Sequence, residues 1–160
     1  MKKNIEQSRQ VSRHPKVRGI AKQCFRNAFR VVQHVPGFEE AVYVEGIAAL
    51  PYGFLIEHGW VEANGDIIDP TLPDDEMAYF PGLRFVGQAG ISEALRLPKH
   101  FKNDADLPIF YRFGWGGCDS RDFCQAWDDA WNHLVAPGRM REENRHPPMV
   151  ARLLARNTAA

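Results

Sequence analysis

The 160-residue sequence is short of cysteine, with three, and of net charge, with a formal balance of zero. Three thiols are odd in number and too few for a disulfide framework. Zero net charge argues against a protein that coats nucleic acid, which needs a strongly basic surface. No apolar run approaches the roughly 20 residues that cross a bilayer. The opening MKKNIEQSRQVSRHP has basic residues but lacks the apolar stretch of a secretory signal. The expectation is a cytoplasmic protein with reduced thiols, no membrane association and no nucleic-acid partner. Phosphate loops are missing too, because the glycines between Tyr111 and Gly117 have no strand–loop–helix setting. Cys118 and Cys124 lack zinc-ligand spacing, and His14, His34, His100, His133 and His146 are scattered. No metal or other cofactor is expected.

What is present is enough for one good core: 44% hydrophobic and 11% aromatic residues, with 25% charged. The zero charge is uneven. Residues 1–18 sum to +5 and residues 139–160 to +3, so the middle carries −8. An acidic body between basic ends points toward solvated tails and a neutral or basic partner.

Residues 1–17 are polar and read as a flexible basic arm, followed by a single domain over 18–138 and a basic extension over 139–160. Apolar spacings of three and four predict a helix from about Ile20 to Val35, ended by Pro36-Gly37. Strand-like runs follow at Ala41–Leu50 and Phe54–Ala63. Asn64-Gly65 is a tight-hairpin signal, and Asp66–Asp69 forms the returning arm. Arg84–Ala89 and Pro108–Phe113 read as further strands, with a short helix near Ser92–Leu97. Ser120 or Asp119 can cap a helix over Arg121–Val135, and a last short helix is expected over Pro148–Arg156. Helix, antiparallel sheet, helix gives an α+β domain. Tyr111–Gly117 is expected as a flexible covering loop. Glu45 and Glu57 are expected to be exposed or merely paired, and Glu62 to face solvent.

Three residues carry chemistry together. Cys24 falls in the first turns of a helix, where unpaired N–H groups and the helix dipole favour a thiolate. His58 and Asp69 lie on the two arms of the hairpin, almost opposite each other, within reach of an imidazole–carboxylate bond. Nucleophile, base and orienting acid then form a triad. Trp60 shares a strand face with His58 and is a candidate wall of the site. Asn27, about one helical turn after Cys24, is a weaker candidate for a bond to it.

Cys24 on a helix, then His58-Gly59-Trp60-Val61-Glu62 (an H-x-W-x-E stretch), then Asp69-Pro70-Thr71 resembles the transglutaminase-like core of the papain-like cysteine enzymes. The resemblance covers about residues 20–72. Two departures bear on substrate class. Ile67-Ile68 precede Asp69 where members often have an aromatic, and the AKQCFRNAF segment around Cys24 lacks the small residues of many members.

The resemblance implies that His58 takes the proton of Cys24 and the thiolate attacks a carboxamide or peptide carbonyl. Asp69 would fix the imidazole, and the Cys24 backbone N–H would meet the oxyanion, with Gln23 as a candidate second donor. The thioester is then resolved by water or an amine. This makes a cysteine-dependent amide hydrolase or acyl-transferase acting on a protein or peptide amide. The alternative is a phage-encoded binding or inhibitor protein on the same fold, with its triad idle. Oligomeric state and the role of residues 72–160 are not legible.

Overall fold

Local chemistry alone dictates the Asn64-Gly65 turn. Both residues have positive φ, 53° and 83°, as a two-residue type I′ turn requires. The turn joins β3 (Leu55–Ala63) to β4 (Asp66–Ile68). The computed structural model describes residues 1–74, 76–99, 106–117 and 119–141. Within these, β2 (Val42–Ala49) and β5 (Ala78–Val86) add two antiparallel strands, and β1 (Lys2–Lys3) pairs in parallel with β4. The sheet is mixed, in the order β1-β4-β3-β2-β5. With α1 (Ile5–Ser12), α2 (Cys24–His34), α3 (Gly87–Ala94) and α4 (Arg121–Val135), the architecture is α+β.

The helices α2, α3 and α4 pack on the sheet through their apolar stripes. Ala28, Val31 and Val32 of α2 join Tyr43 and Val61 in one buried cluster. Phe123, Ala126 and Ala130 of α4 join Ile47 and Leu83 in a second. The opposite sheet face carries Val44, Trp60 and Ile67, all buried. The Ser120 hydroxyl accepts from the Phe123 N–H at 3.2 Å and caps α4 as its sequence foretells.

Several expectations need correction. The first 17 residues are not a loose arm. β1 is zipped onto β4, Asn4 caps α1, and Ser8, Val11 and Val17 are buried. α2 begins at Cys24, not Ile20, because Lys22 has a left-handed φ of 64° that no helix interior tolerates. The strand expected at Arg84–Ala89 is the end of β5, and the helix after it begins at Gly87 rather than Ser92. Pro108–Phe113 is not a strand either, since Ile109–Arg112 forms a 3-10 turn. A buried carboxylate fixes that turn: Glu45 accepts from the amides of Ile109 and Phe110, both at 2.7 Å. Glu45 is therefore fully buried rather than exposed. Burial pushes its carboxyl up to about 7, against the pull of hydrogen bonds from Tyr43, Ile109 and Phe110. Glu62 is also buried and pairs with Arg84 at 3.1 Å. The expected helix over Pro148–Arg156, most of the 139–160 extension, Cys118, His100 and His146 lie outside the described residues. No helix among the described residues is long and apolar enough to cross a membrane.

Candidate active site

The site is built where β4 runs out. The β3–β4 ladder pairs Ala63 with Asp66, Glu62 with Ile67 and Val61 with Ile68, and there it stops. From Leu55 to Trp60, β3 has β2 on one side and, among the described residues, no strand on the other. Pro70, which has no N–H to give a ladder, helps explain the stop. The next rung would set Asp69 level with Trp60. His58 and Asp69 are therefore not directly opposite, as the hairpin arithmetic anticipates, but diagonal neighbours on one face. Their side chains still meet, with Nε2 of His58 2.7 Å from Oδ2 of Asp69.

Cys24 arrives from the other direction. It opens α2, so its N–H is among the first-turn donors a helix leaves unpaired. Close approach of this turn to β3 depends on Gly59, where a Cβ would come within 2.9 Å of the Phe25 Cα. The Cys24 Sγ lies 4.0 Å from the Glu57 carbonyl oxygen, at the free edge of β3. It is half-exposed and sits beside the His58 ring, with which it interacts directly. Because Asp69 occupies Nε2, Nδ1 is the nitrogen left for the thiol.

Charge on the site follows from these contacts. Burial alone would lower the His58 pKa. The charge and hydrogen bond of Asp69, with a contribution from Cys24, outweigh it and raise the imidazole to about 9. Burial would raise Asp69, but His58, the Leu72 amide and the charge of Lys3 hold it at about 2. At neutral pH the pair is an imidazolium against a carboxylate.

Asp69 is held from every side. Its Oδ1 accepts from the Thr71 and Leu72 amides at 2.9 and 3.1 Å, and its Oδ2 from the Tyr79 hydroxyl at 2.9 Å. Its own N–H donates to Ser8 Oγ at 2.9 Å. Lys3 donates to the Leu72 carbonyl and lies over the Tyr79 ring. Tyr79, Ser8 and Lys3 are not apparent from sequence, because each meets Asp69 or its turn through tertiary packing, Ser8 from α1 and the other two from the sheet, rather than through a local pattern.

The weaker candidates divide. Trp60 is fully buried and stacks on His58, centroids 6.3 Å apart and 22° between planes, so it backs the imidazole rather than lining an open cleft. Asn27 does not bond the thiol. Its amide nitrogen ties the Ile20 carbonyl before Cys24 to the Thr71 hydroxyl after Asp69, at 2.7 and 2.9 Å. Gln23 is the N-cap residue of α2 and makes no capping bond with its side chain. Its Oε1 is buried without a partner. Among the described residues, no three His, Cys, Asp or Glu side chains gather as a metal site.

The geometry brings Cys24, His58 and Asp69 together in the order thiol, imidazole, carboxylate. Comparison of the chain with protein-family models, curated proteins and solved structures returns no match.

Proposed function

We propose that the protein is a cysteine-dependent acyl-transfer enzyme, cleaving or exchanging an amide through a thioester on Cys24. One observation carries the reading. A half-exposed thiol at the start of a helix interacts with a buried imidazolium that a carboxylate locks in place. An imidazolium and a helix N-terminus both favour the thiolate, the form that attacks carbonyl carbon. A thiol kept only for packing needs neither.

The thiolate adds to the amide carbonyl, and the Cys24 N–H is a ready donor to the resulting oxyanion. His58 gives its proton to the leaving nitrogen, so the C–N bond breaks and an amine departs. Water, deprotonated by the now neutral His58, attacks the thioester to give an acid. An amine attacking instead gives a new amide. Asp69 steadies the imidazole through both steps. The order helix-borne Cys, then His and Asp along one hairpin, supports a transglutaminase-like core. The bond from His58 to Asp69, made through the ring nitrogen away from the thiol, supports it further.

The test is thiol labelling followed by peptide mapping. Iodoacetamide at pH 6 should modify Cys24 much faster than Cys124, whose thiol is pushed up by burial and by Asp128 and Asp119. His58→Ala should remove the difference. Equal labelling of the two cysteines in the unmutated protein would sink the proposal.

A further inference from the structure

A groove of about 770 Å³ runs along α2 from the residues flanking Cys24. Lys22, Arg26, Arg30 and His34 follow one another along it, each four residues from the last, over a floor that includes Phe25, Phe29 and Leu107. Arg26 and Lys22 are exposed and Arg30 is half-exposed. Among the described residues, none of these three cations has a carboxylate within salt-bridge distance. Asp106, the one acid among the described residues lining the groove, is already taken by Lys99 and Arg112 at 3.0 and 3.5 Å.

Resting on the acyl-transfer reading, we infer that this groove takes an acidic, extended polypeptide segment of the substrate and delivers a neighbouring amide to Cys24. Three unpaired cations in a row call for anionic groups, so the local charge overrides the acidic balance of the body, which on its own favours a basic partner. The spacing selects an extended chain. Residues four apart on a helix rise about 6 Å, and alternate residues of an extended strand are about 6.6 Å apart. Acidic side chains at every second position would meet Arg26 and Arg30 in turn, with Lys22 in the turn before α2 beyond them, while the intervening backbone lies over Phe25 and Phe29. A nucleic acid strand has similar charge spacing but no amide to offer a thiol.

The probe is a fluorescein-labelled twelve-residue peptide of alternating Glu and Ser, titrated into the full chain at low salt and read by anisotropy. Binding is expected, weakening as salt rises. It should weaken by tenfold or more in Arg26→Glu/Arg30→Glu and by less in the milder Arg26→Gln/Arg30→Gln. Bound peptide should also slow iodoacetamide labelling of Cys24. A Lys–Ser peptide that binds equally well, an oligothymidylate that binds as tightly, or unchanged affinity in both variants overturns the inference. Fast Cys24 labelling without peptide binding overturns the groove alone. Peptide binding beside an unreactive thiol overturns the enzyme reading and leaves acidic-segment docking standing.

Discussion

His58 Nε2 and Asp69 Oδ2 are 2.7 Å apart, and neither side chain exposes more than 1% of its surface. A buried ion pair is costly to desolvate and is tolerated when its remaining bonds are satisfied. Here they are: Thr71, Leu72 and Tyr79 complete the carboxylate, and the thiol of Cys24 lies beside the ring. The arrangement fixes which ring nitrogen faces the Cys24 thiol.

Asp69→Asn tests that point. The amide keeps an acceptor for the Thr71 and Leu72 N–H groups, but its NH2 would face the nitrogen that now donates to Asp69. The imidazole would lose its charge partner and be pressed into the wrong tautomer. Cys24 labelling at pH 6 should slow by about tenfold or more, and urea unfolding should show a loss of about 3 kcal/mol. Unchanged labelling would separate Asp69 from the thiol's chemistry.

Tyr79→Phe is a gentler probe of the same carboxylate. It removes one hydroxyl bond of 2.9 Å to Oδ2 and leaves the ring packing against Trp60, centroids 5.2 Å apart. With one donor fewer, the carboxylate pulls harder on His58, so the imidazolium should persist to higher pH. A His58 titration followed by NMR should move upward, with a stability loss of about 1 kcal/mol.

What sequence could foretell divides by range of interaction. The Asn64-Gly65 turn, the Ser120 cap and the apolar stripes of α2 and α4 are local, and each forms where its residues demand. The N-terminal segment is the opposite case. Nothing in KKNIEQSRQVS marks a strand of two residues, whose existence depends on the edge of β4 some 60 residues away. Ile109–Arg112 has strand-like residues, yet it turns because Glu45 captures two successive amides. The Cys24–His58–Asp69 set was legible because residue type and order carry it. Its supports, Ser8 and Tyr79, were not, since generic residues become informative only once α1 and the sheet bring them to Asp69.

Gly59→Ala probes how the thiol reaches the site. The added methyl would sit 2.9 Å from the Phe25 Cα and 3.1 Å from its backbone nitrogen, so α2 itself must shift. A cost of about 1–3 kcal/mol is expected, together with slower Cys24 labelling. Gly65→Ala is the control: its Cβ meets nothing, and the cost of about 1 kcal/mol comes from φ of 83° alone. Labelling should survive Gly65→Ala and decline in Gly59→Ala.

Stability should fall on both sides of mildly acidic pH. His58 is raised from 6.5 to about 9, so its contribution is full below 6.5 and lost as pH rises through about 9. Asp69 is lowered from 3.8 to about 2, so its contribution is full above 3.8 and lost as pH falls through about 2. Glu45 is raised from 4.5 to about 7, which adds a decline between those values as the folded state resists its ionisation. Urea midpoints across pH 3–10 should therefore peak near pH 4–5. In His58→Gln the decline between 6.5 and 9 should disappear while the Glu45 decline remains.

Ser8→Ala addresses the N-terminal segment, whose folding the sequence did not foretell. The buried hydroxyl donates to the Asn4 carbonyl at 2.6 Å and accepts the Asp69 amide at 2.9 Å, linking α1 to the turn that aims the carboxylate. Without it, a buried amide loses its partner, at a cost of about 1–3 kcal/mol. If α1 only covers the core, that cost is the whole effect. If α1 positions Asp69, the Asp69 amide should also exchange with solvent faster than global unfolding allows, and Cys24 labelling should slow in step. Faster exchange with normal labelling would confine α1 to a packing role.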